Sequence, residues 1–404
     1  MASAESWLDD AGQKLTWTSG TGETRARLSG LLDLEAYALP QPLPGVIDAH
    51  GDALFNPRLT VYLDAQFGDR VYAFAQARAD RGFDPGERHL RGRLDEYAVR
   101  WTLGAARRLN LQVGQFATVV GSWAVRHDAW ANPFITAPMP YDNLTGIWDN
   151  EPPVSTHQLL LWSHVRPGMQ PAVLAIEKSL RVPVIWGPSY ATGLAVAGEQ
   201  GHVRYAFEVK NASLSSRPEA WSLRAQQFQH PTFSGRVRYS DDPRWEYGFS
   251  ASSGSFLRPH TDHEEEPGYV EVDYRRGRHR QTVFGADISY AWKHLQVWAE
   301  AYVSRFQVPT AGGNADTATY YVEARYKVTP EFSAAVRWNQ QFFGRVWEGP
   351  GRVRWGRDAW RIDLAPTYRF SAHAQVKLQY SVQSGEADPD RLAHLGAVQW
   401  TVKF

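Results

Sequence analysis

The strongest constraint on this chain is an alternation of apolar and polar residues that recurs over segments of about ten residues. In the last segment the apolar positions are Val398, Trp400, Val402 and Phe404, with polar residues between them. A period of two is that of a β-strand, whose successive side chains point to opposite faces. Strands of about ten residues exceed the five or six usual in soluble sheets and match the length that crosses a bilayer at a tilt. The pattern predicts transmembrane strands.

The connections between these segments alternate in length. Short turns are predicted near residues 68, 106, 200, 242, 294, 330 and 372. Long polar or Gly/Pro-rich stretches separate them, the longest at 118–186. Short turns at one end and long loops at the other are typical of outer-membrane barrels, with the turns in the periplasm and the loops outside. We expect an all-β, antiparallel transmembrane β-barrel over residues 25–404, preceded by a periplasmic segment, 1–24.

The seven predicted hairpins, a first strand near 25–38 and a last strand near 394–404 give sixteen strands. Apolar runs within 154–180 could supply one more hairpin, and therefore eighteen strands, but neither run alternates well. Both counts are even, so both chain termini are expected at the short-turn end.

Composition excludes several other classes of protein. Lys+Arg and Asp+Glu both number 43, which argues against a basic nucleic-acid binder. Cysteine is absent, so disulfides and zinc or iron–sulfur sites built on thiolates are excluded. No apolar stretch is long enough for a transmembrane helix. Residues 1–20 lack the pattern of a signal peptide, and we expect the mature form of an exported protein.

The polar side of each strand should face the interior of the barrel. The basic residues at this parity that we select as pore-lining are Arg100, Arg204, Arg236, Arg238, Arg325 and Arg337. Acidic residues are fewer at the same parity, and rings of Arg and Lys favour anions in a pore. The alternative interpretation is that these residues form salt-bridged ladders that fill a narrow barrel.

The long connection at 118–186 is the candidate constriction, folded into the barrel. Residues 122–150 combine rigid aromatic residues and two proline-flanked turns with Arg126, His127, Asp128, Asp142 and Asn143. Long loops within compact domains are usually functional. An extracellular lid is the alternative.

Two further basic residues of the same connection, Lys178 and Arg181, could complete the constriction. No catalytic, cofactor-binding or metal site is predicted. The loop with His260 and His263 is interpreted as solvated and acidic.

At two places the chain resembles the Gram-negative outer-membrane porins. The ending Trp400-Thr401-Val402-Lys403-Phe404 resembles their C-terminal assembly signal, and Val113-Gly114-Gln115-Phe116 resembles the strand that leads into their pore loop. The resemblance implies location in the outer membrane, contact with its lipids, and a homotrimer as one assembly.

The predicted function is a passive diffusion channel for small hydrophilic solutes that favours anions. Two alternatives remain: a scaffold barrel that sheathes a secreted polymer or an electron-transfer protein, and an outer-membrane enzyme. No nucleic-acid partner and no cofactor are expected.

Overall fold

A computed structural model describes residues 2–39, 45–47, 49, 51–81, 90–104, 108–163, 180–223, 228–258, 276–311, 313–384 and 392–404. The first strands are β1 (Thr16–Thr18), β2 (Thr24–Ala38), β3 (Ala53–Phe67), β4 (Val71–Asp80), β5 (Arg91–Thr102), β6 (Asn110–Phe116), β7 (Ala191–Gln200), β8 (Val203–Lys210) and β9 (Thr232–Tyr239). The others are β10 (Trp245–Ser255), β11 (Arg280–Trp292), β12 (Leu295–Val308), β13 (Gly313–Lys327), β14 (Phe332–Phe343), β15 (Arg345–Glu348), β16 (Gly351–Arg354), β17 (Ala359–Arg369), β18 (Ala374–Ser384) and β19 (Leu392–Lys403). The helices are α1 (Ala2–Lys14), α2 (Met139–Asp142) and α3 (Thr156–Ser163), with 3-10 turns at Ala124–Arg126, Pro218–Ala220, Arg276–Arg278 and Pro309–Ala311.

Sixteen of the described strands, β2–β14 and β17–β19, form one closed antiparallel barrel. Each pairs with its neighbours along the chain, and β19 returns to pair with β2, with Val402 opposite Leu32. Closure leaves no strand edge exposed to lipid, as a membrane barrel requires. The prediction of sixteen strands is therefore confirmed. The alternative of eighteen is wrong for the described part of 154–180, because residues 156–163 form helix α3.

Short turns join the strands at one end of the barrel. They lie at residues 68–70, 201–202, 240–244, 293–294, 328–331 and 370–373, close to the predicted positions. The predicted turn at 105–107 lies outside the described residues, although the flanking Leu103 and Leu109 are joined by a main-chain hydrogen bond of 2.8 Å. The strand ends that the long connections join lie at the other end of the barrel, called here the long-loop end.

The outer face of the barrel is an apolar band, as the alternation predicts. Leu63, Phe249, Phe284, Leu364 and Leu378 are each 45% or more exposed there. Aromatic residues such as Phe67, Trp292 and Phe370 lie beside the short turns, where an interfacial girdle is expected. Among the described residues, no helix has the length and apolarity needed to cross a membrane.

The N-terminal segment adds a helix that the alternation does not predict. Helix α1 lies at the short-turn end, where Asp9 contacts His373 at 2.9 Å. The chain then forms β1, which pairs antiparallel with the first residues of β2, Trp17 opposite Ala26. This pairing occupies the part of β2 that extends past the end of β19.

Candidate functional site: the barrel lumen

The connection between β6 and β7, residues 117–190, enters the barrel and is called here the inward segment. Its described residues, 117–163 and 180–190, bond to side chains on the strand face opposite the apolar band. On one side, Gln379 of β18 accepts hydrogen bonds from the main-chain N–H groups of Ile135 and Thr136, at 2.6 and 3.1 Å. On the other side, Glu208 of β8 accepts one from the Thr118 hydroxyl at 2.7 Å. The segment therefore spans the interior.

A buried carboxylate on β12 anchors the first part of the inward segment. Glu300 is 1% exposed, and its Oε1 accepts hydrogen bonds from the main-chain N–H and hydroxyl of Ser122 and the N–H of Trp123. Its Oε2 accepts from the Tyr141 and Tyr302 hydroxyls at 2.5 and 2.9 Å. Five neutral donors thus bond to one carboxylate. Because the carboxylate is buried, the loss of a donor would cost more free energy here than at the surface.

A second anchor is an ionic network under α2. Arg337 is fully buried, with its Nε 2.8 Å from Asp363, and it donates to the carbonyl of Thr136 at 3.0 Å. Arg361 contacts Asp363 at 3.2 Å and Asp142 of the inward segment at 2.9 Å. Arg337 and Asp142, both predicted to line the pore, therefore hold the segment against the wall.

The predicted constriction residues 126–128 lie together on one bend of the inward segment. Arg126 is paired with Glu323, donates to the Tyr321 hydroxyl at 2.9 Å and stacks over Trp298 at 4.6 Å. Asp128 accepts hydrogen bonds from the N–H groups of residues 130 and 131, both at 2.8 Å. The charges of Arg126 and Asp128 are thus largely used within the structure.

His127 lies between these two residues and contacts Tyr190. Burial, with the charge of Arg78 acting in the same direction, lowers the pKa of His127 to about 4. Its ring Nδ1 lies 2.6 Å from the carbonyl of Ala124. The ring is therefore neutral near pH 7 and adds no charge to the lumen.

The remaining predicted residues of the connection lie nearer the long-loop end. The Asn143 amide donates to the Gln341 side chain at 2.8 Å, and Arg181 is buried beside Trp148, with which it forms an isolated β-bridge. Lys178 lies outside the described residues. Nearby, Asp149 joins two other loops through Arg217 and Arg258, at 2.7 and 3.2 Å.

Two buried acids, Asp80 and Asp95, offset part of the positive charge on the inner wall of the barrel. The alternation of the sequence does not predict this. A β-bulge on the β4–β5 ladder, between Gln76 and Ala77, changes the facing of β5. It turns Asp95 inward, and Asp95 contacts Arg78 at 3.0 Å and Arg93 at 2.8 Å. Arg93 also pairs with Asp80. Strict alternation of the sequence gives no sign of the bulge.

The predicted basic residues separate into two groups. One group is paired with carboxylates, as in the contact of Arg236 with Asp287 at 2.6 Å. A second group lies near the short-turn end of its strands and, together with Arg27, Arg369 and Lys403, is called here the cationic ring. It consists of Arg27, Arg100, Arg204, Arg238, Arg325, Arg369 and Lys403.

Most of the cationic ring has no ionic partner. Arg204 and Arg238 share the single carboxylate of Glu246. For the other five, the described residues place no carboxylate oxygen within 4.0 Å. Arg100 instead donates to Gln112 at 2.7 Å, and Arg325 donates to Gln296 at 3.0 Å. Arg369 and Lys403 both lie against the Trp130 ring, at 4.8 and 5.1 Å.

A cavity of about 1230 Å³ lies beside this ring, below the first part of the inward segment. The described charged residues of its lining are six basic and three acidic. The basic residues are Arg27, Arg100, Arg204, Arg236, Arg238 and Lys403, and the acidic residues are Glu96, Asp128 and Glu199. Thus the cavity near the short-turn end is wide, and basic residues outnumber acidic ones in its lining.

Solved structures with this architecture cover nearly the whole chain. A trimeric form of OmpT, an outer-membrane protein of Vibrio cholerae, matches with a TM-score of 0.56 and 9% identity over 94% of this chain and 99% of that chain. An anion-selective porin from Comamonas acidovorans matches with a TM-score of 0.54 and 9% identity over 95% and 100%. This is the porin fold.

OmpF of Salmonella typhi, in complex with daunomycin, has the same barrel, with a TM-score of 0.56 and 11% identity over 96% of this chain and 100% of that chain. Such low identities establish the fold alone. No family model matches the chain, and the search of curated proteins found no match. The resemblance to outer-membrane porins that the sequence shows is therefore confirmed for the architecture of the barrel.

Proposed function

We propose that this chain is an outer-membrane porin: a passive channel for small hydrophilic solutes that prefers anions. The observation that carries the proposal is the cationic ring, five of whose seven described members lack a carboxylate partner. Unpaired cations in a confined passage raise the local concentration of anions. The apolar outer band would contact the lipids, and the short-turn end would face the periplasm.

The test is the reversal potential of the purified protein in a planar bilayer under a potassium chloride gradient. We expect chloride preference, which should fall when Arg100, Arg325 and Arg369 are replaced together by Gln. A matched control replaces Arg305, Arg345 and Arg352 by Gln, which removes the same formal charge from exposed positions outside the lumen. Cation preference, or equal effects of both triple variants, would contradict the proposal.

The alternatives from the sequence make different predictions. A scaffold barrel needs an interior open to its partner, whereas here the inward segment bonds to both sides of the wall. An outer-membrane enzyme would turn over a substrate without conducting ions. The trimeric OmpT structure supports a test for a homotrimer, by light scattering in detergent.

A further inference from the structure

One part of the cavity wall carries very small side chains. On β7 and β8, the residues that face the lumen include Ala195, Ala197 and Ala206, called here the alanine shelf. Ala197 and Ala206 are direct cross-strand partners, and both are only partly buried. Because larger residues flank them, the shelf is a recess in the wall.

Arginines stand on both sides of the shelf. Arg100 of β5 is cross-strand partner to Gln112 of β6, which in turn pairs with Ala195. On the opposite side, Ala206 is the cross-strand partner of Arg236, and Arg204 lies next along β8. Two strand spacings, about 10 Å, separate β5 from β7, so an arginine side chain can reach over the recess from either side.

The roof of the recess is apolar as well. The inward segment contributes Ala117 and Val119 to the cavity, and Phe116 at the end of β6 packs in one apolar cluster with Ala195. Acids are present as well: Glu199 follows Ala197 on the same face of β7, opposite Arg204, and Glu96 accepts a hydrogen bond from the main-chain N–H of Ala117 at 2.7 Å. The Lys210 ammonium, 3.2 Å from Glu208, lies against the Phe116 ring.

From this arrangement we infer that the shelf is a binding station for organic anions with a compact apolar body, such as aromatic monocarboxylates. The carboxylate would pair with Arg100, which has no carboxylate partner among the described residues, while the ring lies on the alanines next to Phe116. Bidentate pairing suits an arginine, and burial of a flat ring in a recess adds a hydrophobic contribution that chloride cannot make. The inference rests on the proposed function, since the station lies inside the same channel.

The test measures how benzoate and acetate reduce the single-channel chloride current of the purified protein. Both carry one carboxylate, so the difference between them reports the apolar body. We expect half-block at a lower concentration of benzoate than of acetate. Ala197→Leu, which fills the recess and changes no charge, should raise the half-blocking benzoate concentration about tenfold and leave the reversal potential unchanged.

A second variant, Ala206→Leu, fills the same recess from the neighbouring strand, in case the first does not assemble. The control is Thr367→Leu, on the lumenal face of β17, which adds comparable bulk away from the shelf. An anion-preferring channel that benzoate and acetate block equally, or whose benzoate block survives both alanine variants, overturns the station and leaves the proposed function standing. A protein that conducts no current, or prefers cations, overturns both.

Discussion

Gly30 and Phe404 close the barrel at its seam. The N–H of each donates to the carbonyl of the other at 3.0 Å, and the ring of Phe404 occupies the space that a Cβ at position 30 would take. The last residue of the chain is thus seated on the first barrel strand. This geometry gives a physical reason for the C-terminal aromatic residue beyond its resemblance to an assembly signal.

We expect Gly30→Val to reduce the amount of assembled barrel in cells. The added side chain meets the Phe404 ring and the carbonyl of Thr60, and overpacking of this kind costs about 1–3 kcal/mol. Deleting Phe404 should lower insertion in a similar way. Heat-modifiable mobility on gels measures the folded fraction. If Gly30→Val and the deletion both assemble at normal levels, the seam contact has no role in assembly.

The facing of the strands predicts opposite effects at Leu378 and Ser29. Leu378 is 52% exposed in the apolar band, and a cation at the bilayer midplane costs about 2–4 kcal/mol. Leu378→Arg should therefore impair folding into lipid vesicles. Ser29→Arg adds the same charge on the cavity side and should be mild. Equal damage from both substitutions would show that the facing is wrong.

The alternation of the sequence was enough to predict the barrel, the strand number and the facing of residues such as Leu378. Its limit is visible at Gln379, which faces the interior as predicted but is 3% exposed and bonded to the inward segment. Strand periodicity says which face a residue occupies, not what lies opposite it. The partners of Arg337 and Arg361 in the inward segment, Thr136 and Asp142, lie 201 and 219 positions away along the chain, so these contacts were not predictable.

The candidate site shows the same limit at Arg126. Its position in a long connection suggested a place inside the barrel, whereas its pairing with Glu323 joins residues 197 positions apart, which strand periodicity does not predict. The cationic ring, by contrast, can be recognised from sequence afterwards. Its members all lie within three residues of the short-turn end of their strands, whereas paired arginines such as Arg58 and Arg337 lie deeper along theirs.

Removing the Glu300 carboxylate should loosen the inward segment. Glu300→Ala leaves the donors of Ser122, Trp123 and two tyrosines without their acceptor, and each hydrogen bond to a charged group contributes about 1.5–3 kcal/mol. We expect frequent current fluctuations in single-channel records. Ser304→Ala, on the lumenal face of the same strand, is the control. A quiet current in Glu300→Ala would show that other contacts hold the segment.

The neutral state of His127 predicts a flat pH response. Its pKa of about 4 lies below the ordinary value near 6.5, so the ring gains a proton only as the pH falls through about 4. Between pH 5.5 and 7.5, His127→Gln should have the same chloride preference as the unaltered protein. A preference that rises on acidification to pH 5.5 in the unaltered protein, but not in His127→Gln, would contradict the pKa shift.

The cationic ring also predicts how selectivity depends on salt. Three of its unpaired members, Arg27, Arg100 and Lys403, line the wide cavity. In water the screening length falls from about 10 Å at 0.1 M salt to about 3 Å at 1 M. The chloride preference should therefore weaken as the mean potassium chloride concentration rises. The Arg100, Arg325 and Arg369 triple Gln variant should show a weaker preference at low salt and a smaller change with salt.

Arg337 provides the contrast: it is fully buried and paired with Asp363, so its charge is compensated locally. Arg337→Met should disturb the inward segment, which is seen as current fluctuation, more than it changes the reversal potential. If the chloride preference did not change with salt concentration, the charges that select chloride would belong to buried pairs such as Arg337 with Asp363, and not to the cationic ring.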